Sequence, residues 1–499
     1  MMAPDQGAGH PHPDGKPHAA SRDAGTAARA AIIQGSPEAA PVPAVGPGGL
    51  ADVRPVMCAG SDAVSAAVGE ARALYAARRP RTSALHERAR AFLPGGNTRS
   101  VLYHRPFPLR IARAWEAVLE DADGHQYVDL LGEYSAGLYG HSNPVVIKAM
   151  TDALQEGISR GAHTRYEVDL AEAVCARFAS IESVRFTNSG TEANLMALSA
   201  ARAFTGRDRV MVFRGGYHGG LLTFADGPSP VNAPYDVLLA EYNDAAGACA
   251  LAREHAGSLA CVLVEPMLGS GGCIPGDPAF MSALREATRQ AGALLVFDEV
   301  MTSRTGPGGL QERLGIWPDL TTLGKYIGGG ASFGAFGGRA DVMALFDPAR
   351  PGALPHAGTF NNNVVSMAAG HAGLTRVYPP QTAQWHTARG DALCEELAQT
   401  FQAAGAPFGV TGVGSLLAIH ATAAPVKTAK DLSRSDPQLL ELLFLDLLEL
   451  GYYIAPRGYL ALSLALTSGQ LAGFVAAVGK VLDTRAALWA PPGGRGQLL

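Results

Sequence analysis

Two residues stand out for the chemistry their types and spacing allow, Lys325 and Asp298. Lys325 is set among glycines in Thr321-Thr322-Leu323-Gly324-Lys325-Tyr326-Ile327-Gly328-Gly329-Gly330, and Asp298 tips the apolar run Leu294-Leu295-Val296-Phe297. A buried strand ending in a carboxylate, followed 27 positions later by a lone lysine on a glycine-flanked bend, suits pyridoxal 5′-phosphate. The amine would condense with the cofactor aldehyde as a Schiff base. The acid would keep the pyridine nitrogen protonated, so that the ring can accept electrons. Alone, each reads as an ordinary group, because most lysines are solvated.

A third motif lifts the pair out of the ordinary. The strand Val184–Thr187 runs into Asn188-Ser189-Gly190-Thr191-Glu192 and then a helical pattern through Leu195, Leu198 and Ala201. Ser189 and Glu192 have capping-box spacing. A helix start offers unpaired N–H groups and the positive end of a dipole, which together bind phosphate. Gly190 would let the phosphate approach the backbone, and the Ser189 and Thr191 hydroxyls could add donors. By itself this is a capped helix; ahead of the Asp–Lys pair it becomes a phosphate cup. Gly215-Gly216-Tyr217-His218-Gly219-Gly220 follows the strand Val210–Phe213, at the strand end where open α/β sheets bind ligands. Tyr217 could lie flat beside a flat cofactor, although a plain loop reads the same way.

The elements that must position these groups are legible in outline. At 499 residues the chain exceeds a single core. Its 47% apolar and 17% charged residues and net charge of −5 give no basic stripe for nucleic acid. No run of about 18 apolar residues suggests a membrane span. Leu439–Leu450, interrupted by Glu441, Asp446 and Glu449, reads as an amphipathic helix. Six scattered cysteines suggest reduced thiols in a cytosolic protein rather than disulfides or metal. Residues 1–56, rich in Ala, Gly and Pro, read as a disordered leader. There His10, His12 and His18 are low-complexity coincidences rather than metal ligands, and Met57 is an alternative start. Residues 57–129 carry a helical pattern over Val64–Phe92 and a hairpin about Asp123-Gly124. Residues 130–376 alternate helices with strands at Val184–Thr187, Val210–Phe213, Ala260–Val264 and Ala293–Phe297, which predicts parallel βαβ units with helices on both faces. Residues 377–499 add helices and strands at Ser415–His420, Tyr452–Ala455 and Tyr459–Leu464. The fold class expected is α/β, a large domain with a mostly parallel sheet plus a smaller α+β domain drawn from both chain ends.

From about Arg90 to Leu466 the chain resembles the class III aminotransferases of pyridoxal-phosphate fold type I. The resemblance rests on Thr187-Asn188-Ser189-Gly190-Thr191-Glu192-Ala193-Asn194, Gly216-Tyr217-His218-Gly219, Val264-Glu265-Pro266, Phe297-Asp298-Glu299-Val300 and Leu323-Gly324-Lys325. Asp319–Lys325 is similar to the branch containing glutamate-1-semialdehyde aminomutase. Aromatic β-amino-acid aminotransferases are more similar still, matching Asn97–Leu102, Glu133–Gly137, Gly358–Asn363 and Pro456-Arg457-Gly458.

The resemblance implies roles by position. Lys325 would carry the cofactor and shuttle the proton, Asp298 would pair with the pyridinium, Val300 would pack under the ring and Tyr217 above it. Ser189, Gly190 and Thr191 would hold the phosphate. Thr359 would reach the phosphate of a neighbouring subunit, implying a homodimer. Arg99 would bind the carboxylate of a β-amino acid, and Arg457 the distal carboxylate of 2-oxoglutarate (pyruvate being the alternative acceptor), because guanidinium grips carboxylate bidentately. Arg105 is a second candidate carboxylate ligand. Glu265 stands near the site without an assigned role. An aminomutase is the runner-up enzyme, and a non-catalytic binding protein on the same fold is the reading from another class. A nucleotide-binding P-loop is disfavoured, since Tyr326 follows Lys325.

Overall fold

The computed structural model describes residues 61–489; the leader assigned to 1–56, its histidines and Met57 lie outside the described residues. The helical pattern expected over Val64–Phe92 is two helices, Ser61–Arg78 and Pro80–Arg90. Pro80 has no N–H to continue the first helix and disfavours helical geometry at the residue before it. Accordingly, Arg79 leaves the helical region at φ −127°, ψ 57°.

Strands β1 (Ile111–Trp115), β2 (Val118–Asp121) and β3 (Gln126–Asp129) follow as an antiparallel meander, with Asp123-Gly124 in the β2–β3 turn as expected. The large sheet is built from β4 (Ser183–Thr187), β5 (Arg209–Phe213), β6 (Val237–Ala240), β7 (Leu259–Val264), β8 (Leu294–Asp298), β9 (Leu320–Gly324) and β10 (Gly334–Gly338). Their order is β4-β10-β9-β8-β7-β5-β6. All neighbours are parallel except β10, which runs antiparallel to both β9 and β4.

The sequence pattern did not reveal β10, because Gly334-Ala335-Phe336-Gly337-Gly338 has poor strand propensity. Its glycines answer to close packing instead. A Cβ on Gly334 would fall 2.1 Å from the Ser189 carbonyl oxygen, and one on Gly338 2.1 Å from that of Asp319.

Beyond the large sheet come β11 (Gly409–Val413), β12 (Leu416–His420), β13 (Tyr452–Tyr453) and β14 (Tyr459–Ala461). Strands β11, β12 and β14 form an antiparallel sheet, while β13 joins β3 in parallel. One core cluster accordingly unites Val68, Tyr75 and Tyr127 from the early chain with Leu397, Leu443 and Phe474 from the late chain.

The helix Pro437–Glu449 departs from the amphipathic expectation, since it is buried along Leu442–Leu448. Its acids are paired rather than solvated. Asp446 accepts two bonds from Arg485 (2.8 and 2.9 Å), Glu449 is 2.6 Å from Arg79 and Glu441 2.6 Å from Arg72. Partners so distant in sequence leave no periodic trace. Among the described residues, Cys175, Cys249, Cys261, Cys273 and Cys394 are free thiols, and no helix is long and apolar enough to cross a membrane.

Candidate active site

The carboxyl ends of β4, β5, β7, β8 and β9 converge on a cavity of about 320 Å³. Its lining includes Ser189, Gly190, Thr191, Tyr217, Glu265, Asp298, Val300 and Lys325. Register explains the convergence: Thr187 faces Gly334, Gly334 faces Gly324, and Thr322 faces Asp298. The chain leaving β9 therefore emerges beside both the helix start after β4 and the acid that ends β8.

Asp298 is buried and tightly held. Its Oδ2 accepts from Asn194 Nδ2 (2.8 Å) and from His218 Nδ1 (2.8 Å), and its Oδ1 from the Val300 N–H (3.0 Å). Thr322 Oγ1 in turn donates to Asn194 Oδ1 at 2.8 Å, fixing the amide's orientation. His218 and Asn194 are the residues that sequence reasoning missed. Both stand inside the motifs quoted above, but only the fold shows that they face the same carboxylate.

The helix Gly190–Thr205 begins as expected, with one exception. Ser189 Oγ accepts the Glu192 N–H at 3.2 Å, but Glu192 does not return a bond to Ser189. Its carboxylate takes the backbone N–H (2.9 Å) and side-chain amide (3.1 Å) of Asn188 instead. The capping box is thus half made, and the acid is turned toward Asn188. The Tyr217 loop rests on this helix start: Gly220 N–H donates to Thr191 Oγ1 at 3.2 Å, and a Cβ on Gly219 would meet that oxygen at 2.1 Å. Val300 packs against Gly190 and Gly324, where added Cβ atoms would lie 2.9 and 3.1 Å from its methyls.

Lys325 sits at φ +56°, a left-handed conformation that is strained for a non-glycine residue and is over-represented at active sites. Its Nζ donates to the Tyr134 carbonyl. Burial pushes its amine down to about 8, opposed by Asp298 and assisted by Arg99, Arg304 and Arg457. Glu265, the residue without a role, is buried and bridges two loops. It accepts from the Tyr217 N–H through Oε2 and from the Gly269 N–H through Oε1, both at 2.9 Å. Burial, reinforced by Asp298 and opposed by His218, pushes its carboxyl up to about 7.

Arg99 and Arg457, the two arginines expected to bind substrate, come together although 358 positions separate them in sequence. Arg99 lies 5.9 Å and Arg457 5.3 Å from the centre of the Tyr134 ring, which stacks on Tyr459 at 5.5 Å. Arg99 also pairs with Glu133. Gly458, at φ +84°, lets the Arg457 turn press on β12, because a Cβ there would lie 2.1 Å from the Ile419 carbonyl oxygen. Arg105 is exposed and, like the equally exposed Arg99 and Arg457, is not among the residues that line the cavity; unlike them it has no described contact with the Tyr134 ring. Thr359 is also exposed and does not line the cavity; among the described hydrogen bonds, its loop is joined to the site by Asn361 Oδ1, which accepts from Asn188 Nδ2 at 3.0 Å.

These donors fit pyridoxal phosphate. The helix start supplies N–H groups for a phosphate, Asp298 is an immobilised buried acid, and Lys325 is an amine made less basic by burial. Val300 and Phe333 form apolar walls.

Residues 101–482 match the family model described as aminotransferase class-III. The chain is 52% identical over 426 residues to the β-phenylalanine transaminase of Variovorax paradoxus, covering 85% of this chain and 98% of that one. A crystal structure of a β-phenylalanine aminotransferase from Variovorax paradoxus aligns with a TM-score of 0.84 at 52% identity, over 85% of this chain and 99% of that one. A glutamate-1-semialdehyde 2,1-aminomutase from Sorangium cellulosum is 39% identical over 77% of this chain and 91% of its own length.

Proposed function

The chain belongs to the class-III aminotransferases, and from that premise we propose that it transfers the amino group of an aromatic β-amino acid such as β-phenylalanine to 2-oxoglutarate or pyruvate. The products are a β-keto acid and glutamate or alanine. The observation that carries the substrate reading is the pair of arginines on one aromatic ring, beside the carbonyl that receives the Lys325 amine.

Pyridoxal phosphate, when bound, supplies an electrophilic carbon that takes up amines and a ring that accepts electrons from the bond to the migrating hydrogen. The rest is the work of the chain. Ser189, Gly190 and Thr191 grip the phosphate at the helix start. Asp298, oriented by His218 and Asn194, holds a proton on the pyridine nitrogen. Val300 and Tyr217, which both line the cavity, would pack against the cofactor ring. Lys325 would hold the cofactor through its Nζ and, once displaced by the donor amine, that Nζ would be the group that takes up and returns the migrating proton. Tyr134 keeps the freed amine nearby through its carbonyl.

Arg99 binds the donor carboxylate. Arg457 binds the distal carboxylate of a dicarboxylic acceptor and leaves that space when an aromatic side chain fills it. Thr359 serves the phosphate of a second copy's site, so the working unit is a homodimer. The two half-reactions share one site, which predicts ping-pong kinetics. Purified protein given β-phenylalanine should form glutamate only when 2-oxoglutarate is present. Isomerisation of a five-carbon amino aldehyde without an acceptor would favour the aminomutase reading instead.

A further inference from the structure

Four successive residues, Gly132, Glu133, Tyr134 and Ser135, have positive φ, at 53°, 48°, 51° and 77°. Left-handed backbone is routine for glycine but strained for the other three. This turn puts three groups to use at once. The Tyr134 carbonyl accepts from Lys325, the Tyr134 ring lies against both substrate arginines, and the Glu133 carboxylate is paired with Arg99.

The two arginines differ in one respect. Among the described ion pairs Arg457 has no acidic partner, whereas Arg99 gives its Nη1 to Glu133 Oε1. Only one guanidinium nitrogen and one carboxylate oxygen are engaged, and the two side chains are 43% and 54% exposed. Such a pair is screened by water and weakly held. A substrate carboxylate that meets the same guanidinium with two parallel bonds has the stronger geometry. Tyr134, anchored to the Val101 carbonyl through its hydroxyl at 2.9 Å, keeps the guanidinium in place while its counter-ion changes.

We infer that Glu133 is a resident counter-ion of Arg99 that the carboxylate of the amino donor displaces, which makes it a specificity-determining residue for the donor half of the reaction. The inference rests on the reading of Arg99 as the donor-carboxylate ligand. Glu133 occupies the arginine between turnovers and sets a threshold that a ligand must exceed. Carboxylates that reach only one guanidinium nitrogen gain less from the exchange and are disfavoured relative to those that meet it with two bonds. Donors without a carboxylate leave the pair untouched.

The test is calorimetric titration of the holoenzyme with 3-phenylpropionate, which carries the carboxylate and ring of the donor but no amine. Glu133→Gln should bind it about two- to fivefold more tightly than the unaltered protein, the range expected for removing a screened competing charge. Arg99→Ala should lose roughly tenfold or more. Unchanged or weaker binding by Glu133→Gln, with the Arg99→Ala loss intact, overturns the counter-ion role and leaves the reading of Arg99 standing. Undiminished binding by Arg99→Ala overturns both.

Discussion

Arg99 and Arg457 lie on the same aromatic ring, 5.9 and 5.3 Å from the centre of Tyr134. Each cation is attracted to the ring, which offsets part of the cost of bringing two like charges together. The residue that carries this ring also receives the Lys325 amine on its carbonyl, an arrangement that the proposed use of two alternating carboxylate substrates would require.

Division of labour between the arginines should show in the kinetics. Arg457→Ala should raise KM for 2-oxoglutarate about 10- to 100-fold, matching the loss of a charge-assisted bidentate contact. It should change KM for β-phenylalanine far less. Arg99→Ala should do the reverse. Steady-state rates with each substrate varied in turn would separate the two effects, and equal changes in both constants would contradict the assignment.

Capture of pyridoxal phosphate by the cofactor-free protein needs the neutral Lys325 amine. Burial pushes this amine from the ordinary lysine value of 10.5 down to about 8. The protonated form dominates below that value, so the capture rate should rise about tenfold per pH unit up to near 8 and then level off. Rapid-mixing absorbance from pH 6 to 10 would measure it. A rate still climbing tenfold per unit at pH 10 would mean that the amine is not perturbed.

Glu265 offers a pH signature of the opposite kind. Its folded pKa, about 7, lies above the ordinary 4.5 because of burial. The folded state therefore holds the extra proton between those values. The stabilisation is complete below about pH 4.5 and lost as pH rises through about 7. Glu265→Gln cannot ionise and should be destabilised by losing an acceptor for the Tyr217 or Gly269 N–H. Its Tm deficit relative to the unaltered protein should shrink as pH is raised from 5 to 7.5. A constant deficit across that range would show that Glu265 does not titrate there.

Gly334→Ala probes the strand that the sequence pattern concealed. A Cβ only 2.1 Å from the Ser189 carbonyl must push the turn proposed to bind phosphate away from β10. Overpacking of this kind costs about 1–3 kcal/mol. The variant should unfold at a lower temperature and bind pyridoxal phosphate more weakly, as read by thermal melting and equilibrium dialysis. Unaltered cofactor affinity would mean that the turn tolerates the shift.

The parts of this molecule that could be read in advance are those whose signal is local. Val184–Thr187 with the Ser189 helix start, the Asp298 strand end, and the Asp123-Gly124 hairpin each state their geometry within a few residues, whereas the Glu192 half of the expected capping box went to Asn188. Strand β10 stayed hidden because its glycines are dictated by the Ser189 and Asp319 carbonyls, which belong to other segments. The acids of the helix Pro437–Glu449 looked solvated because Arg79, Arg72 and Arg485 approach from remote stretches of chain. The same limit applies to His218, Asn194 and Tyr134. Their residue types are unremarkable until the fold turns them toward Asp298 and Lys325.

The central claim is that the Lys325 Nζ carries the cofactor, and borohydride reduction of the holoprotein tests it most directly. After tryptic digestion and mass analysis, the reduced pyridoxyl phosphate adduct should appear on the peptide containing Lys325, and a Lys325→Ala protein should release its cofactor on denaturation. An adduct confined to another lysine, or no adduct in the unaltered holoprotein, would contradict the account.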